Sequence, residues 1–147
     1  MVLAFLIGIV AGLRAMSAPA VVSWAAHLGW IDLSATWLAW LGAGVAPWVL
    51  LLLAIGEIVA DQAPSTPSRK APVGFGTRLV TGAISGAALG AGGMGALVAG
   101  IVGAVAGTLG GYEVRMRMAA AFGNDRPAAF LEDAVAVGLG LVIVLAA

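Results

Sequence analysis

The sequence predicts an all-α fold, a polytopic integral membrane helix bundle of about five transmembrane helices, and three observations carry that prediction. Hydrophobic residues occupy 62% of the 147 positions. Charged residues occupy only 10%, against about 25% in an ordinary soluble domain. Mean hydropathy is +1.09. A water-exposed globule with so little polar surface would be covered in apolar patches and would aggregate. The length suits one compact bundle, so residues 1–147 read as a single integral membrane domain.

A membrane-crossing helix needs roughly 20 mostly apolar residues. The first such run extends from Val2 to about Ala26 and is interrupted by Arg14, Ser17 and Pro19. Pro19 removes a backbone donor and Ser17 can start a new helix, which suggests two half-helices around an unwound Gly12–Ala18 stretch. Met1–Ala11 lacks the basic flank of a signal peptide and no convincing cleavage site follows, so it reads as a retained membrane segment. His27–Thr36 is then a short connection carrying Asp32.

The second span runs from about Trp37 to Ala60, with Pro47 near its start. Residues 61–73 hold three prolines together with Arg69 and Lys70, the composition of a loop. The third span, Gly76–Ala91, is short and rich in small residues. Gly92 and Gly93 mark a tight turn, and the fourth span follows from Met94 to about Tyr112. Glu113–Pro127, with Arg115, Arg117 and Arg126, reads as a charged connection before a fifth span over Ala128–Ala147.

Sidedness follows from the basic residues. Arg69, Lys70, Arg115, Arg117 and Arg126 fall in two of the four connections, which the positive-inside rule places in the cytoplasm. Five spans then put the N-terminus in the cytoplasm and the C-terminus outside. All five tryptophans, Trp24, Trp30, Trp37, Trp40 and Trp48, cluster around the first outer connection, where an aromatic belt belongs.

Small residues recur every four positions at Gly82, Gly86 and Gly90, and again at Ala99, Gly103, Gly107 and Gly111. This glycine-zipper spacing lets helix backbones approach closely, either within the chain or in a homo-oligomer. Thr77, Thr81 and Ser85 occupy a neighbouring face, where back-bonding or interhelical hydrogen bonding is the ordinary role and lining a solute path the alternative. An internal echo links Gly12-Leu-Arg-Ala-Met-Ser17 with Gly76-Thr-Arg-Leu-Val-Thr81, each followed by an acid-ended span at Glu57 and Glu113. In an Ala/Gly-rich chain a three-position match also arises by chance; a true repeat would be a parallel one of the kind built into transporter folds.

Composition excludes several functions. Cysteine is absent, so there are no disulfides or thiolate metal sites. A formal net charge of zero gives no electrostatic basis for binding nucleic acid. A single histidine and no defensible nucleophile–base spacing argue against an enzyme, and no cofactor motif is present.

The charges left inside apolar runs are the candidates for function, because ionisable groups at membrane depth are costly and are paired or functional when kept. Arg14, Glu57, Asp61 and Arg78 are the primary binding candidates. Ser17, Thr81, Glu113, Glu132 and Asp133 are secondary. Glu57 and Asp61, and likewise Glu113 and Arg117, stand four apart, which places each pair on one helix face. Glu132 and Asp133 lie near a helix N-terminus, where the dipole favours acids. Arg115, Arg117, Asp125 and Arg126 read as helix-end charges that snorkel to the interface, and His27 as an interfacial residue. A hard cation on Glu57, Asp61, Glu132 and Asp133 is chemically open, with the metal undetermined.

At Glu57-Ile-Val-Ala-Asp61-Gln-Ala-Pro64, Arg78 and Gly82-Ala-Ile-Ser-Gly-Ala, with the Gly12-Leu-Arg14 opening, the chain resembles a bacterial multi-pass membrane family. That family is catalogued as a domain of unknown function, number four-one-two-six. The sequence departs from the family pattern at Gln62, where a lysine is common, and in a shorter Pro-Ser-Thr-Pro loop. The resemblance implies a protein of the bacterial inner membrane and supplies no activity.

Two functional expectations follow. One is a transporter or channel for a small ionic solute, working through charged residues buried between helices. The other is a structural or assembly protein whose charges only pair and whose glycine-rich faces bind partner helices.

Overall fold

The computed structural model describes residues 1–61, 72–123 and 125–147, with side chains described throughout these except at positions 60, 61, 72, 73, 122 and 125–129. Among the described residues it is all-helical, with no strand. The helices are α1 (Val2–Leu13), α2 (Ser17–His27), α3 (Ala46–Asp61), α4 (Pro72–Leu89), α5 (Met94–Phe122) and α6 (Asp125–Ala146), with a short 3-10 turn at Ala39–Gly42 before α3.

Helix boundaries follow from local chemistry. The first segment does break, at residues 14–16, with Arg14 extended at φ −142 and ψ 110. Pro19 is the cause, because it cannot donate to the Ala15 carbonyl and its ring crowds that group. A helix that contains Pro19 must therefore restart within its own first turn, as α2 does at Ser17. The second span does not begin at Trp37. Gly44, at φ +53, and Pro47 confine the helix to start at Ala46, and the preceding residues form turns.

Residues 113–122 continue α5 rather than forming the expected connection. No glycine or proline interrupts them, Glu113 and Arg117 pair at i,i+4, and the helix ends only at Gly123 in the left-handed conformation, φ 69. The tight turn between α4 and α5 falls at Ala91 and Gly92, both with positive φ. The loop expected over residues 61–73 falls mostly outside the described residues, Arg69 and Lys70 included, while Asp61 ends α3 and Pro72 begins α4.

Glycine contacts fix the packing order. A Cβ on Gly100 would come within 2.1 Å of the Gly82 carbonyl, and one on Gly103 within 2.0 Å of the Phe5 carbonyl. The backbones of α1, α4 and α5 thus touch with no side chain between them. Because Gly8 meets Gly100 while Gly12 meets Ala104 and Thr108, α1 runs parallel to α5, and α4 runs antiparallel to both.

The path of the first segment differs from expectation. Met1 packs on Gly95 at the start of α5, so the chain enters at the end of the bundle that holds the α4–α5 turn. It descends through α1 for about 20 Å at 1.5 Å per residue, reaches the break, and returns through α2. At the return, Trp37 Nε1 donates to the Gly92 carbonyl at 3.1 Å, back at the entry end. The first segment is a helical hairpin, with α2 returning toward the end at which α1 begins. Met1 and the connection after α2 therefore share one end of the bundle, whereas a single straight helix over residues 2–26 would set them at opposite ends. The sequence pattern misses this because an apolar run records length and not direction.

By length and composition, the stretch Met94–Ala121 alone among the described residues suffices to cross a membrane, with a mean hydropathy of 1.7 over its best window. Val2–Leu13 and Ala46–Val59 are shorter apolar helices. The core gathers around Ile7, Val10, Val22, Leu38, Leu41 and Val144, all essentially buried.

Candidate functional site

The break between α1 and α2 exposes backbone groups that a continuous helix would satisfy internally, and each set meets a side chain from another helix. At the C-terminal end of α1, Arg78 Nη1 of α4 donates to the Gly12 carbonyl at 2.6 Å and the Leu13 carbonyl at 3.0 Å. Thr108 of α5 donates more weakly to the Gly12 carbonyl, at 3.4 Å. At the N-terminal end of α2, the Met16 amide donates to Glu57 Oε2 of α3 at 3.0 Å. The cation sits on the carbonyl end and the carboxylate on the amide end, as helix dipoles favour.

Arg14 itself is fully buried. Its Nε donates to Asp133 Oδ1, its Nη2 is ion-paired with the same oxygen, and Glu132 Oε2 lies 3.8 Å from Nη2. Glu132 also accepts from Arg115 Nη1 at 3.2 Å. Arg14, Arg115, Glu132 and Asp133 form a continuous charged chain running from the break across α6 to α5. In apolar surroundings this mutual pairing is what makes the buried charges tolerable.

Three of the four primary candidates thus converge. Arg14, Glu57 and Arg78 meet at the break, and the charges of both arginines act on Glu57. The fourth, Asp61, ends α3, and its side chain lies outside the described set. Glu132 and Asp133 belong to the site, but not as helix caps. They stand two turns into α6, which starts at Asp125, beyond the reach of the dipole's first turn. Ser17 is buried as the first residue of α2. Thr81 is buried as well and bonds back to the Arg78 carbonyl at 3.2 Å. Glu113 falls away from the site, exposed and paired with Arg117 at 3.3 Å.

Two participants escaped the sequence reading. From sequence Arg115 reads as an ordinary orienting charge in a loop, and it faces Glu132 only because α5 continues through it. Thr108 carried no signal beyond a hydroxyl in an apolar helix. The two halves of the internal echo play different roles: Arg14 lies in the break while Arg78 is helical, and Glu57 joins the site while Glu113 does not.

The Glu57 carboxylate, whose Oε1 is buried, is also met by the Ala15 amide. These residues hold no group of three or more His, Cys, Asp or Glu side chains placed for a metal. Beside the charged chain lies a groove of about 410 Å³ between α1, α5 and α6, floored by Gly107 and Gly110 and walled by Ile9, Leu13, Leu131 and Val135. Arg115 and Glu132 also line it.

At the other end of the bundle, Trp24 stacks edge-on against Trp48 and His27, and His27 Nδ1 lies 3.2 Å from the Gly42 carbonyl. Trp30, Trp37, Trp40 and Trp48 are about half exposed. Asp32 accepts from both the hydroxyl and the amide of Ser34, at 2.6 and 2.9 Å. These bonds hold its carboxyl below the usual carboxylate range.

A protein-family model described as Domain of unknown function (DUF4126) matches residues 1–147, the whole chain. No curated protein and no solved structure matches it.

Proposed function

Since the chain belongs to the DUF4126 family, whose description assigns no activity, we propose a function from the site itself: a small integral membrane transporter or channel for a small ionic solute. The observation that carries this reading is the broken first segment, whose free carbonyls and free amide face Arg78 and Glu57. Irregular backbone at membrane depth persists where it is enclosed by protein or lines a watered path. Discontinuous helices with oppositely charged ends are also the usual binding elements of secondary transporters. In this reading Arg14, Glu57, Asp61 and Arg78 bind the solute or its coupling ion.

The protein sits in the bacterial inner membrane with its charged end toward the cytoplasm, in keeping with the positive-inside rule. In this reading α1 and α2 form a re-entrant hairpin and Met1 lies on the outer side, at the same end of the bundle as Trp37. Reconstitution tests the reading: proteoliposomes placed under imposed gradients of small ions should show protein-dependent flux that Glu57→Gln abolishes. Absence of flux across a panel of small anions and cations would overturn it.

A structural or assembly role draws on a different observation, the mutual pairing of Arg14 and Arg115 with Asp133 and Glu132. It predicts a stoichiometric membrane partner or a homo-oligomer on purification, and tolerance of charge-neutral double substitutions.

A further inference from the structure

The groove between α1, α5 and α6 has the dimensions of one hydrocarbon chain. It holds about 410 Å³, and its lining runs along α5 from Ala106 to Met118, roughly 18 Å at 1.5 Å per residue. Volume over length gives a cross-section of about 23 Å², roughly a quarter of that of an α-helix 10–12 Å across. A partner helix is too wide to enter, whereas a single acyl chain fits. Gly110 keeps the floor open, because a Cβ there would meet nothing within 4 Å.

Arg115 marks one end of this groove. Along α5 it stands about 32 Å from Met94, close to the roughly 30 Å thickness of a bilayer's hydrocarbon core. With Met94 at one boundary, Arg115 sits at the other, and the stretch from Ala106 to Arg115 covers about 14 Å, one leaflet's depth. The charged residues lining the groove are Arg115 and Glu132, one of each sign, with Arg115 Nη1 donating to Glu132 Oε2 at 3.2 Å. A headgroup that docks on this pair meets a cation and a carboxylate together. A phosphate next to a primary ammonium matches both. An anionic headgroup sets its charge against Glu132, and a quaternary ammonium has no N–H to donate.

We propose that the groove is a binding site for an aminophospholipid, a zwitterionic lipid whose headgroup ends in a primary ammonium. One acyl chain lies between α1, α5 and α6, the phosphate meets Arg115 and the ammonium meets Glu132. The inference rests on the membrane setting of the proposed function and not on transport. Glu132 also lies 3.8 Å from Arg14 Nη2, so the headgroup touches the charged chain that reaches the break between α1 and α2.

Native mass spectrometry of the full-length protein in mild detergent tests this, with phosphatidylethanolamine, phosphatidylcholine and phosphatidylglycerol of identical chains as probes. One phosphatidylethanolamine per protein should be retained about tenfold more tightly than either of the others, the worth of one charge-assisted hydrogen bond. Gly110→Leu, which projects into the groove, should abolish that retention. Leu52→Trp, on the exposed face of α3, should leave it in place. Glu132→Gln should erase the preference over phosphatidylcholine; if it does not fold, the lipid series on the unaltered protein and Gly110→Leu carry the test. Equal retention of the three lipids overturns the proposal, as does retention that survives Gly110→Leu. Recovery of folded protein from cells without detergent would remove the membrane setting and the lipid site with it. Selective retention without ion flux would support the site and count against transport alone.

Discussion

Arg78 and Gly12, 66 residues apart in the chain, meet at 2.6 Å, so that a side chain of α4 closes the open end of α1. The same guanidinium reaches Leu13, and its charge also acts on Glu57 across the break. Arg78→Gln should therefore lower stability in detergent, by about 1–3 kcal/mol for each carbonyl left without a donor. Arg78→Lys should recover part of the loss, since a point charge replaces a planar fork. Thermal unfolding followed by circular dichroism gives the comparison.

Arg14 and Asp133 form a pair that is best measured as a pair. Removing either partner alone leaves a buried charge, with an expected cost of about 3–5 kcal/mol. The double variant Arg14→Leu with Asp133→Leu should be closer to wild type than either single variant. Additive losses in this cycle would mean that the two groups do not depend on each other.

Glycine substitutions separate close packing from open helix. Gly103→Ala and Gly100→Ala force a methyl into a facing carbonyl and should be strongly destabilising. At Gly110 a Cβ meets nothing within 4 Å. Gly110→Ala should be neutral or stabilising, by up to about 1 kcal/mol, from helix propensity alone.

The sequence made the break legible because proline and serine chemistry is local: Pro19 forbids a continuous helix, and the observed interruption lies inside the expected Gly12–Ala18 window. Arg14, Glu57 and Arg78 were legible for a similar reason, since a charge in an apolar run needs a partner wherever the run goes. The direction of the return was not legible. It depends on Gly8, Gly12, Gly100 and Gly103 matching α1 to α5 in parallel, and that is a tertiary fact. Arg115 was hidden because a charge-rich stretch reads equally as a loop or as the projecting end of a long helix. The start of α3 is not legible because the tryptophans around Leu38 are apolar enough to resemble membrane helix.

Asp32 offers a pH test outside the membrane-spanning segments. Its two bonds from Ser34 favour the ionised form, so its pKa lies below the unfolded value. The stabilisation is present above the unfolded pKa and is lost as pH falls through the lowered folded one. Ser34→Ala should raise the Asp32 titration midpoint, as followed by carboxyl NMR, and leave neutral-pH helicity unchanged.

The α1–α2 hairpin is the feature on which the site depends, and side-specific labelling tests whether it re-enters the membrane from one face. The chain contains no cysteine, so single cysteines at Val2, Ala35, Arg117 and Ala147 can be introduced without background. In oriented vesicles, an impermeant thiol reagent should label positions 2, 35 and 147 from one face and position 117 from the other. Labelling of positions 2 and 35 from opposite faces would mean that the first segment crosses the membrane, and would contradict the hairpin.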